Sequence, residues 1–434
     1  MDTIFALSTL FGRSGIAVIR ISGSDSLKTK KIFSIQNKLE HRVSKLCKLF
    51  STDGSMLDQA LVIYFQSPNS FTGEDVIELH LHGSIAVINE ATNHLKRHFR
   101  IAEPGEFTRR AFENSKIDLL ECEGLIDLLN AETTVQLKQA VYHHSGQASK
   151  AYAEWRKQLI NILALIESNL DFPEEDIPTE TLALVLSQIQ NLTESMRDSL
   201  EKYCKVHAIR DGIKISILGA PNTGKSSLFN AIIQRDSAIV SDIPGTTRDI
   251  IEKFLQIKGF PVYLYDTAGI RKTLEPIEQM GVLRAKQQAE ESNIVIAVSS
   301  TDNSMIDINH YRNNNIHIIK VINKIDLAEP LCDDSYLPIS IKNNIGIDSL
   351  IDRITSIINT EYIFQEPPII TRERHKQLIF QASLHLKEST KNIHTVEIFA
   401  ENIRQTLNKI SGILGNITVD DILNEIFSSF CIGK

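Results

Sequence analysis

Hydrophobic and polar positions fall into three textures along the chain, and the first two lie in its N-terminal half. Residues 1–116 contain runs with strand-like alternation, GIAVIRIS, ALVIYF and DVIELHLH, and one helical stretch near residues 84–99. Residues 118–206 contain little glycine and follow helical periodicity, except at DFPEEDIP, residues 171–178, where two prolines interrupt it. The pattern predicts a mixed α+β domain followed by helices.

Between about residues 210 and 365, short apolar runs alternate with helical stretches. The runs are IKISIL, KFLQI, VYLYD, NIVIAVS, IHIIKVI and LPIS. This alternation is typical of a doubly wound α/β sheet. Helical texture returns after the EPP of residues 366–368, so we predict a helical domain with an α/β domain inserted into it. The predicted boundaries are 1–117 for the N-terminal domain, 118–209 and 368–434 for the two helical parts, and 210–367 for the inserted domain.

Composition is that of soluble globular domains, with 42% hydrophobic and 23% charged residues in 434. The five cysteines lie far apart without a C-x-x-C pair, which predicts a reducing compartment and neither a disulfide framework nor a zinc knuckle. The N-terminus lacks the basic lead-in of a signal peptide, and no apolar run approaches the roughly 20 residues that span a bilayer. We expect a cytoplasmic protein that does not enter a membrane.

The net charge of −8 disfavours nonspecific electrostatic binding to nucleic acid. The charge is uneven, because residues 1–116 carry 15 Lys and Arg against 12 Asp and Glu, whereas the remainder carries 31 against 42. A nucleic-acid partner would therefore need a local basic surface or a second protein.

The stretch GAPNTGKSS matches G-x-x-x-x-G-K-S between a predicted strand and a predicted helix. Glycines let successive backbone N–H groups surround phosphate oxygens, and the helix N-terminus adds partial positive charge. Lys225 is expected at the β- and γ-phosphates and the Ser226 hydroxyl on Mg²⁺. For this motif alone, a chance glycine-rich turn is the alternative. The predicted phosphate-contacting residues are Asn222, Thr223, Gly224, Lys225, Ser226 and Ser227.

Two further motifs follow predicted strands and indicate which nucleotide is bound. DTAG follows VYLY, and Gly269 can offer its N–H to the γ-phosphate. NKID follows IHIIKVI, and the Asp326 carboxylate can accept hydrogen bonds from N1 and N2 of guanine, which adenine cannot supply. A weaker element, SIK, stands where GTPases usually have S-A-K. The order of the motifs predicts GTP, with contacts from Asp266, Thr267, Ala268, Gly269, Asn323, Lys324, Asp326, Ser340, Ile341 and Lys342.

Ile270 stands directly after DTAG, where many GTPases place the glutamine that orients the attacking water. A hydrocarbon side chain cannot orient water. Either hydrolysis is slow or the catalytic group comes from elsewhere.

The stretch SDIPGTTRD, Ser241–Asp249, lies between the first two motifs, and the chain ends in FCIGK. With Asn222 in the phosphate loop, these residues make the chain similar over its whole length to the MnmE (TrmE) family of tRNA-modifying GTPases. The resemblance implies an N-terminal tetrahydrofolate-binding-like and dimerisation domain, a split all-helical domain and an inserted P-loop GTPase domain. It also implies GTP contacts from Ser241, Asp242, Ile243, Pro244, Gly245, Thr246 and Thr247.

The resemblance implies a source for the missing catalytic group. In the family a potassium ion stands where other GTPases use an arginine finger, and such a cation stabilises charge developing at the β–γ bridge. A glutamate that corresponds to Glu278 positions the water when two GTPase domains pair. The alternatives are a helix-start carboxylate for Glu278 and a turn residue for Asn222. The implied potassium ligands are Asn222, Ser241, Ile243 and Thr246, and the implied magnesium ligands are Ser226 and Thr247.

The strand EDVIELHLH places Glu78, His80 and His82 on one face. A metal site there would need a partner cluster that the sequence does not show, so we disfavour it. The resemblance instead implies binding of 5-formyltetrahydrofolate or a related one-carbon folate, with Lys434 contributed by the second subunit. From spacing alone, surface salt bridges are the alternative. The implied folate residues are Arg20, Glu78, Lys116 and Lys434, and TLFGRSG at residues 9–15 departs from the family, which usually has prolines there.

The resemblance also implies a homodimer that acts on tRNA together with an MnmG-like FAD protein, as a heterotetramer. The reaction would add a carboxymethylaminomethyl or aminomethyl-type group at C5 of the wobble uridine. The alternatives are a ribosome-assembly GTPase without one-carbon chemistry and a folate-dependent transferase with a degenerate GTPase domain. SGILGN, residues 411–416, contains the G-x-x-G of KH domains, but its helical flanks favour an interhelical turn. Cys431 is interpreted as a packed side chain.

Overall fold

The computed structural model of the chain describes residues 2–170, 179–235, 251–266, 287–301, 316–327, 335–363, 367–393 and 395–415, together with Phe430 and Gly433. The chain divides into two compact units. The first comprises Met1–Ile126, His143–Lys157 and Leu407–Lys434, and the second comprises Asp127–Tyr142 and Gln158–Thr406. This division does not follow the predicted domain boundaries at residues 117, 209 and 367, which stay predictions.

The first unit contains a six-stranded sheet in the order β3-β4-β5-β2-β1-β6. Neighbouring strands are antiparallel, except that β6 pairs in parallel with β1. The strands are β1 (Ile4–Leu7), β2 (Ser14–Ser22), β3 (Lys45–Phe50), β4 (Met56–Phe65), β5 (Val76–Gly83) and β6 (Arg100–Ile101). The helices are α1 (Thr29–Ile32), α2 (Ile85–Lys96) and α3 (Glu106–Glu113). The three predicted strands and the predicted helix of this region are confirmed.

Alternation along β2 and β5 separates the two faces of this sheet. Arg20 and Glu78 are opposite each other in the register and lie on the same face. The other face is apolar and packs against α2 through Ala91 and Leu95. Its buried residues in β2 and β5 include Ala17, Ile19, Ile21, Ile77, Leu79 and Leu81. The period-two pattern therefore sets two of the predicted folate residues side by side.

Long helices follow, as the glycine-poor sequence predicts. They are α4 (Leu119–Asn130), α5 (Thr134–His144), α6 (Gln147–Leu170) and α7 (Thr179–Asp211). On α7, Ile189, Leu192 and Met196 are buried at intervals of three and four residues, which is the apolar stripe of an amphipathic helix. The predicted interruption at residues 171–178 lies outside the described ranges.

The second unit contains a six-stranded sheet in the order β12-β11-β10-β7-β9-β8. Adjacent strands are parallel, except for the antiparallel hairpin of β8 and β9. All seven residues of β10 are buried, as in a parallel strand covered on both faces. The predicted α/β sheet is confirmed, with the antiparallel edge strand β8 as a departure from it. The elements are β7 (Ile213–Gly219), α8 (Lys225–Arg235), β8 (Ile251–Ile257), β9 (Phe260–Asp266), β10 (Ile294–Ser300), β11 (His317–Asn323), β12 (Leu337–Pro338) and α9 (Ile347–Tyr362).

Two helices follow the second sheet, α10 (Glu373–Lys391) and α11 (Val396–Ile413). Helix α11 includes the first three residues of SGILGN, so the prediction of a turn is wrong for Ser411–Ile413. A turn begins at the next residue, and Gly415 adopts a φ of 86°. In the described parts of the chain, no helix combines the length and the apolar character needed to cross a membrane.

Asp127 joins the segments that enter and leave the α/β region. Its Oδ1 accepts a hydrogen bond from Nε of Arg210 at 3.3 Å, in the last turn of α7, and from Nη2 of Arg372 at 2.9 Å, directly before α10. The side chains of Asp127 and Arg372 are each 17% exposed. Charge-assisted bonds of this kind are stronger than neutral ones. Asp127 therefore holds both connections at one point of α4.

We expect Asp127→Ala to lower the free energy of unfolding by about 1–3 kcal/mol, because two partly buried guanidinium groups lose their shared carboxylate. The matched control is Glu167→Ala, since Glu167 pairs with Arg404 at 2.7 Å while 44% of each side chain is exposed. That control should lose less than about 1 kcal/mol. Urea unfolding followed by circular dichroism measures both, and equal losses would contradict the role given to Asp127.

Candidate functional site

The loop after β7 has the geometry that phosphate binding requires. It runs from Gly219 to Gly224 and leads directly into α8. Gly219 has no room for a side chain, because a Cβ there would lie 2.6 Å from the carbonyl oxygen of Val298. Gly224 and Asn222 have φ values of 96° and 63°, both in the left-handed region. The loop therefore turns tightly before the N-terminus of α8, where a helix presents N–H groups to an anion.

Lys225 and Asp266 influence each other electrostatically in this site. Lys225 is half-buried, and its Nζ donates to the carbonyl oxygen of Ala220 at 2.8 Å. Burial lowers the pKa of Lys225, and the negative charge of Asp266 opposes that decrease. Asp266 is buried at the end of β9, opposite Ile217 of β7. The sheet therefore brings the first residue of DTAG to the phosphate loop.

Asn323 connects the phosphate loop with the segment predicted to contact the base. It ends β11 and is 4% exposed. Its Nδ2 donates to the carbonyl oxygen of Thr223 at 2.9 Å, and its Oδ1 accepts the N–H of Ile341 at 3.3 Å. Both polar atoms of this amide thus hold the two loops together. The N–H of Ile341, one of the predicted GTP-contacting residues, donates to Asn323 in the structure.

Asp326 is exposed, and Ser340 holds its carboxylate in place. The Ser340 hydroxyl donates to Oδ1 of Asp326 at 2.6 Å, and Ser340 is itself buried and bridged to Ile345. This hydrogen bond lowers the pKa of Asp326, and the charges of Lys342 and Lys324 act in the same direction. An ionised carboxylate fixed through one oxygen leaves the other as an acceptor for the N–H groups of guanine.

Part of the predicted site lies outside the described residues. The phosphate loop, Asp266 and the two segments around Asn323 and Ser340 are described and lie together at the ends of parallel strands. Which atoms contact the nucleotide stays a prediction. The predicted residues that are not described are Ser241, Asp242, Ile243, Pro244, Gly245, Thr246, Thr247, Thr267, Ala268, Gly269, Glu278 and Lys434.

The described donors at this site fit hard cations. Ser226 lies exposed in the first turn of α8, and Asp266 is near Lys225. Hydroxyl and carboxylate oxygens are the ligands that Mg²⁺ takes together with water and phosphate oxygens. The exposed side chain of Asn222 carries an amide oxygen, which also suits a hard cation. The described residues contain no cluster of three or more His, Cys, Asp or Glu side chains that could hold a metal.

A second set of predicted residues lies on the polar face of the first sheet. Arg20 donates from Nε at 3.0 Å and from Nη2 at 2.9 Å to Oε1 of Glu78. The second carboxylate oxygen of Glu78 lies 3.3 Å from Nε2 of His80. The guanidinium carbon of Arg20 lies 5.7 Å from the ring centroids of both Phe71 and Phe107. Arg20 thus pairs with Glu78 and lies between the rings of Phe71 and Phe107.

Lys116 reaches the same region through the loop between β4 and β5. Its Nζ donates to the carbonyl oxygen of Pro68 at 2.9 Å, and its side chain is exposed. Its aliphatic stem lies against Gly73, where a Cβ would come within 3.3 Å of it. The loop that holds Lys116 therefore also supplies Phe71, which faces Arg20.

The C-terminal tail lies against the N-terminal sheet of its own chain. The Ser8 hydroxyl donates to the carbonyl oxygen of Gly433 at 3.0 Å. Gly433 has a φ of 104°, and a Cβ there would lie 2.9 Å from Cα of Ser8. Ser8 follows β1, in which Ala6 is opposite Arg20. Gly433 thus lies beside Ser8 of the same chain, whereas the family resemblance implies that Lys434 comes from the second subunit.

The alternation in EDVIELHLH predicts the face on which His82 lies but not the residue that holds it. Asp58 of β4, with its side chain 7% exposed, accepts the backbone N–H of His82 at 2.9 Å and lies 2.7 Å from its Nδ1. Donation from Nδ1 leaves Nε2 as the acceptor of the imidazole. The signal for this pair was a carboxylate at a core-facing position of an alternating strand.

Comparison with known families covers nearly the whole chain. A family model described as the MnmE helical domain matches residues 119–431. A second model, described as the GTP-binding protein TrmE N-terminus, matches residues 3–116. The first match encloses the second sheet, in keeping with an α/β region that interrupts a helical one.

Curated relatives match end to end. The tRNA modification GTPase MnmE of Wolbachia sp. subsp. Brugia malayi is 40% identical over 441 residues, covering 100% of this chain and 99% of its own length. The tRNA modification GTPase MnmE of Rickettsia bellii (strain OSU 85-389) is 43% identical over 446 residues, covering 100% of both. Among solved structures, the FeoB G-domain from Methanococcus jannaschii matches at 21% identity, covers 34% of this chain and 98% of its own, and has a TM-score of 0.26.

Proposed function

The chain belongs to the MnmE family of tRNA modification GTPases, and from this premise we propose the reaction and the partners that follow. The protein hydrolyses GTP as part of tRNA modification. It adds a carboxymethylaminomethyl or aminomethyl-type group to C5 of the wobble uridine, together with an MnmG-like FAD protein. End-to-end identity of 40–43% with curated tRNA modification GTPases supports this assignment.

The observation that best supports GTP as the bound nucleotide is the connection that Asn323 makes between two loops. This one side chain bonds the phosphate loop at Thr223 and the base-side segment at Ile341. Asp326, three residues later, is held by Ser340 of that same segment. A base bound at Asp326 is therefore tied in position to phosphates bound before α8. A guanine nucleotide satisfies both ends of this arrangement.

Two cations complete the proposed nucleotide site. When bound, they supply positive charge that stabilises the negative charge developing on the phosphates during hydrolysis. Ser226 and Thr247 hold Mg²⁺. Potassium is held by the side chain of Asn222 and by backbone oxygens of Ser241, Ile243 and Thr246.

Glu278 positions the attacking water in this proposal, and Ile270 closes the site against solvent. Glu278 reaches the site only when the GTPase domains of two copies pair, so the active form is a homodimer. GTP binding and hydrolysis then close and open the pair. This arrangement answers how a chain with isoleucine in place of glutamine can hydrolyse GTP.

The polar face of the first sheet is proposed as the folate site. Arg20, Glu78 and Lys116 bind 5-formyltetrahydrofolate or a related one-carbon folate, with the carboxylate of Glu78 accepting ring N–H groups and the cations facing the glutamate tail. The bond between Ser8 and Gly433 favours Lys434 from the same chain as the fourth residue. The protein is proposed to act in the cytoplasm, where tRNA is available.

The test is the rate of GTP hydrolysis in potassium and in sodium buffer at equal ionic strength. We expect potassium to raise the rate about tenfold, because the cation stabilises transition-state charge. Glu278→Ala should lose about tenfold of the potassium rate. Glu201→Ala, which removes a 72% exposed carboxylate from α7, is the matched control and should change nothing. Equal rates in the two buffers, or full activity of Glu278→Ala, would overturn this mechanism.

A further inference from the structure

The β8–β9 hairpin connects the nucleotide site with the helical region. Its register runs from Ile251 opposite Asp266 to Ile257 opposite Phe260. The open end joins the two sequence motifs predicted to contact the γ-phosphate and magnesium, since SDIPGTTRD precedes β8 and Asp266 begins DTAG. Strands of seven residues extend roughly 20 Å at about 3.3 Å per residue. The closed end therefore lies far from Asp266 and the predicted phosphate site.

The closed end of the hairpin contacts the start of α5. Its turn consists of Lys258 and Gly259, with φ values of 50° and 89°, as in tight two-residue hairpins. The N–H of Val135 donates to the carbonyl oxygen of Gly259 at 3.4 Å. The Val135 side chain packs against the α/β core, which includes Ile257 and Phe260. A backbone bond and an apolar contact thus join the turn to the first turn of α5.

The middle of the hairpin contacts the segment that enters the α/β region. The Tyr263 ring packs edge-on against Phe254 at 5.4 Å and lies where a Cβ on Gly212 would be. Gly212 joins α7 to β7. Burial raises the pKa of Tyr263, and the negative charge of Glu132, in the α4–α5 corner, adds to this increase. The middle of the hairpin therefore packs against the connection between α7 and β7, while its tip contacts α5.

The position of β8 in the sheet allows β8 and the hairpin turn to shift when the residues at the open end move. Among the described strands, β8 is at the edge of the sheet and pairs only with β9, whereas β9 is also bonded to β7. A shift of β8 and the turn therefore disturbs one ladder and leaves the other four strand pairs intact. The α4–α5 corner is meanwhile held at Asp127 by Arg210 and Arg372.

We propose that the β8–β9 hairpin carries the nucleotide state from the γ-phosphate side of the site to α5, and that Val135 is the residue that receives it. The proposal rests on the proposed GTPase function and adds the route by which GTP and GDP are distinguished in the helical region. A ligand can shift such an element only by binding its two arrangements with different affinity. Coupling of this kind typically changes an equilibrium by about fivefold or more.

Hydrogen–deuterium exchange of the full chain tests the route. With Mg²⁺ present, we compare GDP with a non-hydrolysable GTP analogue and follow the amides of residues 132–144. The exchange rate of the first turn of α5, including the N–H of Val135, should differ by about fivefold or more between the two nucleotides. Val135→Ala should abolish most of this difference. Val141→Ala, the same substitution at a 47% exposed position of α5, should keep it.

Protection of the backbone amides of Gly219–Ser227 from exchange distinguishes failure of the hairpin route from failure of the proposed function. If both nucleotides protect them while α5 exchanges equally with GDP and with the analogue, the hairpin route is wrong and GTP binding stands. If neither nucleotide protects them, the proposed function fails. A nucleotide-dependent difference that survives in Val135→Ala, or is lost to the same extent in Val141→Ala, overturns the role of Val135.

Discussion

Asp326→Asn is expected to change the preference of the site from GTP to XTP. The affinity for GTP should fall about 10³-fold, because a site built to accept guanine N–H groups strongly rejects a ligand that leaves its polar groups unpaired. Guanine presents two donors, at N1 and at the 2-amino group, to a carboxylate that accepts both. An asparagine amide offers one acceptor and one donor, which matches the N1–H and the C2 carbonyl of xanthine.

Ser340 determines which way the new amide faces. Its hydroxyl donates to Oδ1 of Asp326 at 2.6 Å. In Asp326→Asn the amide oxygen can keep this bond, whereas the NH₂ group cannot accept it. The NH₂ group is therefore directed toward the base, where it repels the 2-amino group of guanine and donates to the C2 carbonyl of xanthine.

Titration of GTP and XTP against the wild type and three variants measures this effect. Ser340→Ala should weaken GTP binding about tenfold without a gain for XTP, because the carboxylate loses its support but keeps both acceptors. Asp326→Asn combined with Ser340→Ala should lose the XTP preference, since the amide can then flip. The role of Asp326 is contradicted if Asp326→Asn binds XTP no better than the wild type does.

Much of the α/β region was predictable because the local sequence pattern identifies its strands. A parallel strand covered on both faces is a nearly continuous apolar run, and the first five of the seven buried residues of β10 are apolar. The motif residues follow such strands, so the meeting of Asp266 and Asn323 with the phosphate loop follows from the rule that parallel strands end at one edge. The short strands β1, β3 and β6 were missed, since two to six residues carry little periodicity.

The local sequence pattern does not predict the direction of β8 or the contacts between residues far apart in sequence. Periodicity is the same for parallel and antiparallel strands, and only the Lys258–Gly259 turn in QIKGFPV indicated a hairpin. Asp127 and Arg372 are 245 residues apart in sequence, and Ser8 and Gly433 are 425 apart. Neither pair repeats a motif, and a charged residue at a helix surface has many possible partners. These contacts depend on the packing of whole elements, which the sequence does not display locally.

Asn323→Ala should also weaken GTP binding strongly, although this side chain uses both of its polar atoms within the protein. Its removal leaves the carbonyl oxygen of Thr223 and the N–H of Ile341 without the bonds they make at 2.9 and 3.3 Å. Leaving a buried donor or acceptor without its hydrogen-bond partner lowers stability by about 1–3 kcal/mol. Because the two loops then no longer hold each other, we expect GTP affinity to fall about 10²- to 10³-fold, with a smaller loss of stability.

Asn323→Asp distinguishes the two bonds. The carboxylate can still accept the N–H of Ile341, but it places an oxygen against the carbonyl oxygen of Thr223, so the phosphate loop should be affected more than the base segment. Phosphate-side and base-side effects are separated by comparing the affinities of GDP and guanosine, since guanosine lacks phosphates. Asn402→Ala is the matched control, because Asn402 donates to a backbone oxygen at the same 2.9 Å from a partly exposed position on α11. If Asn323→Ala binds GTP as the Asn402→Ala control does, then Asn323 does not join the two halves of the site. If Asn323→Asp weakens guanosine as much as GDP, the bond to Thr223 does not govern the phosphate loop.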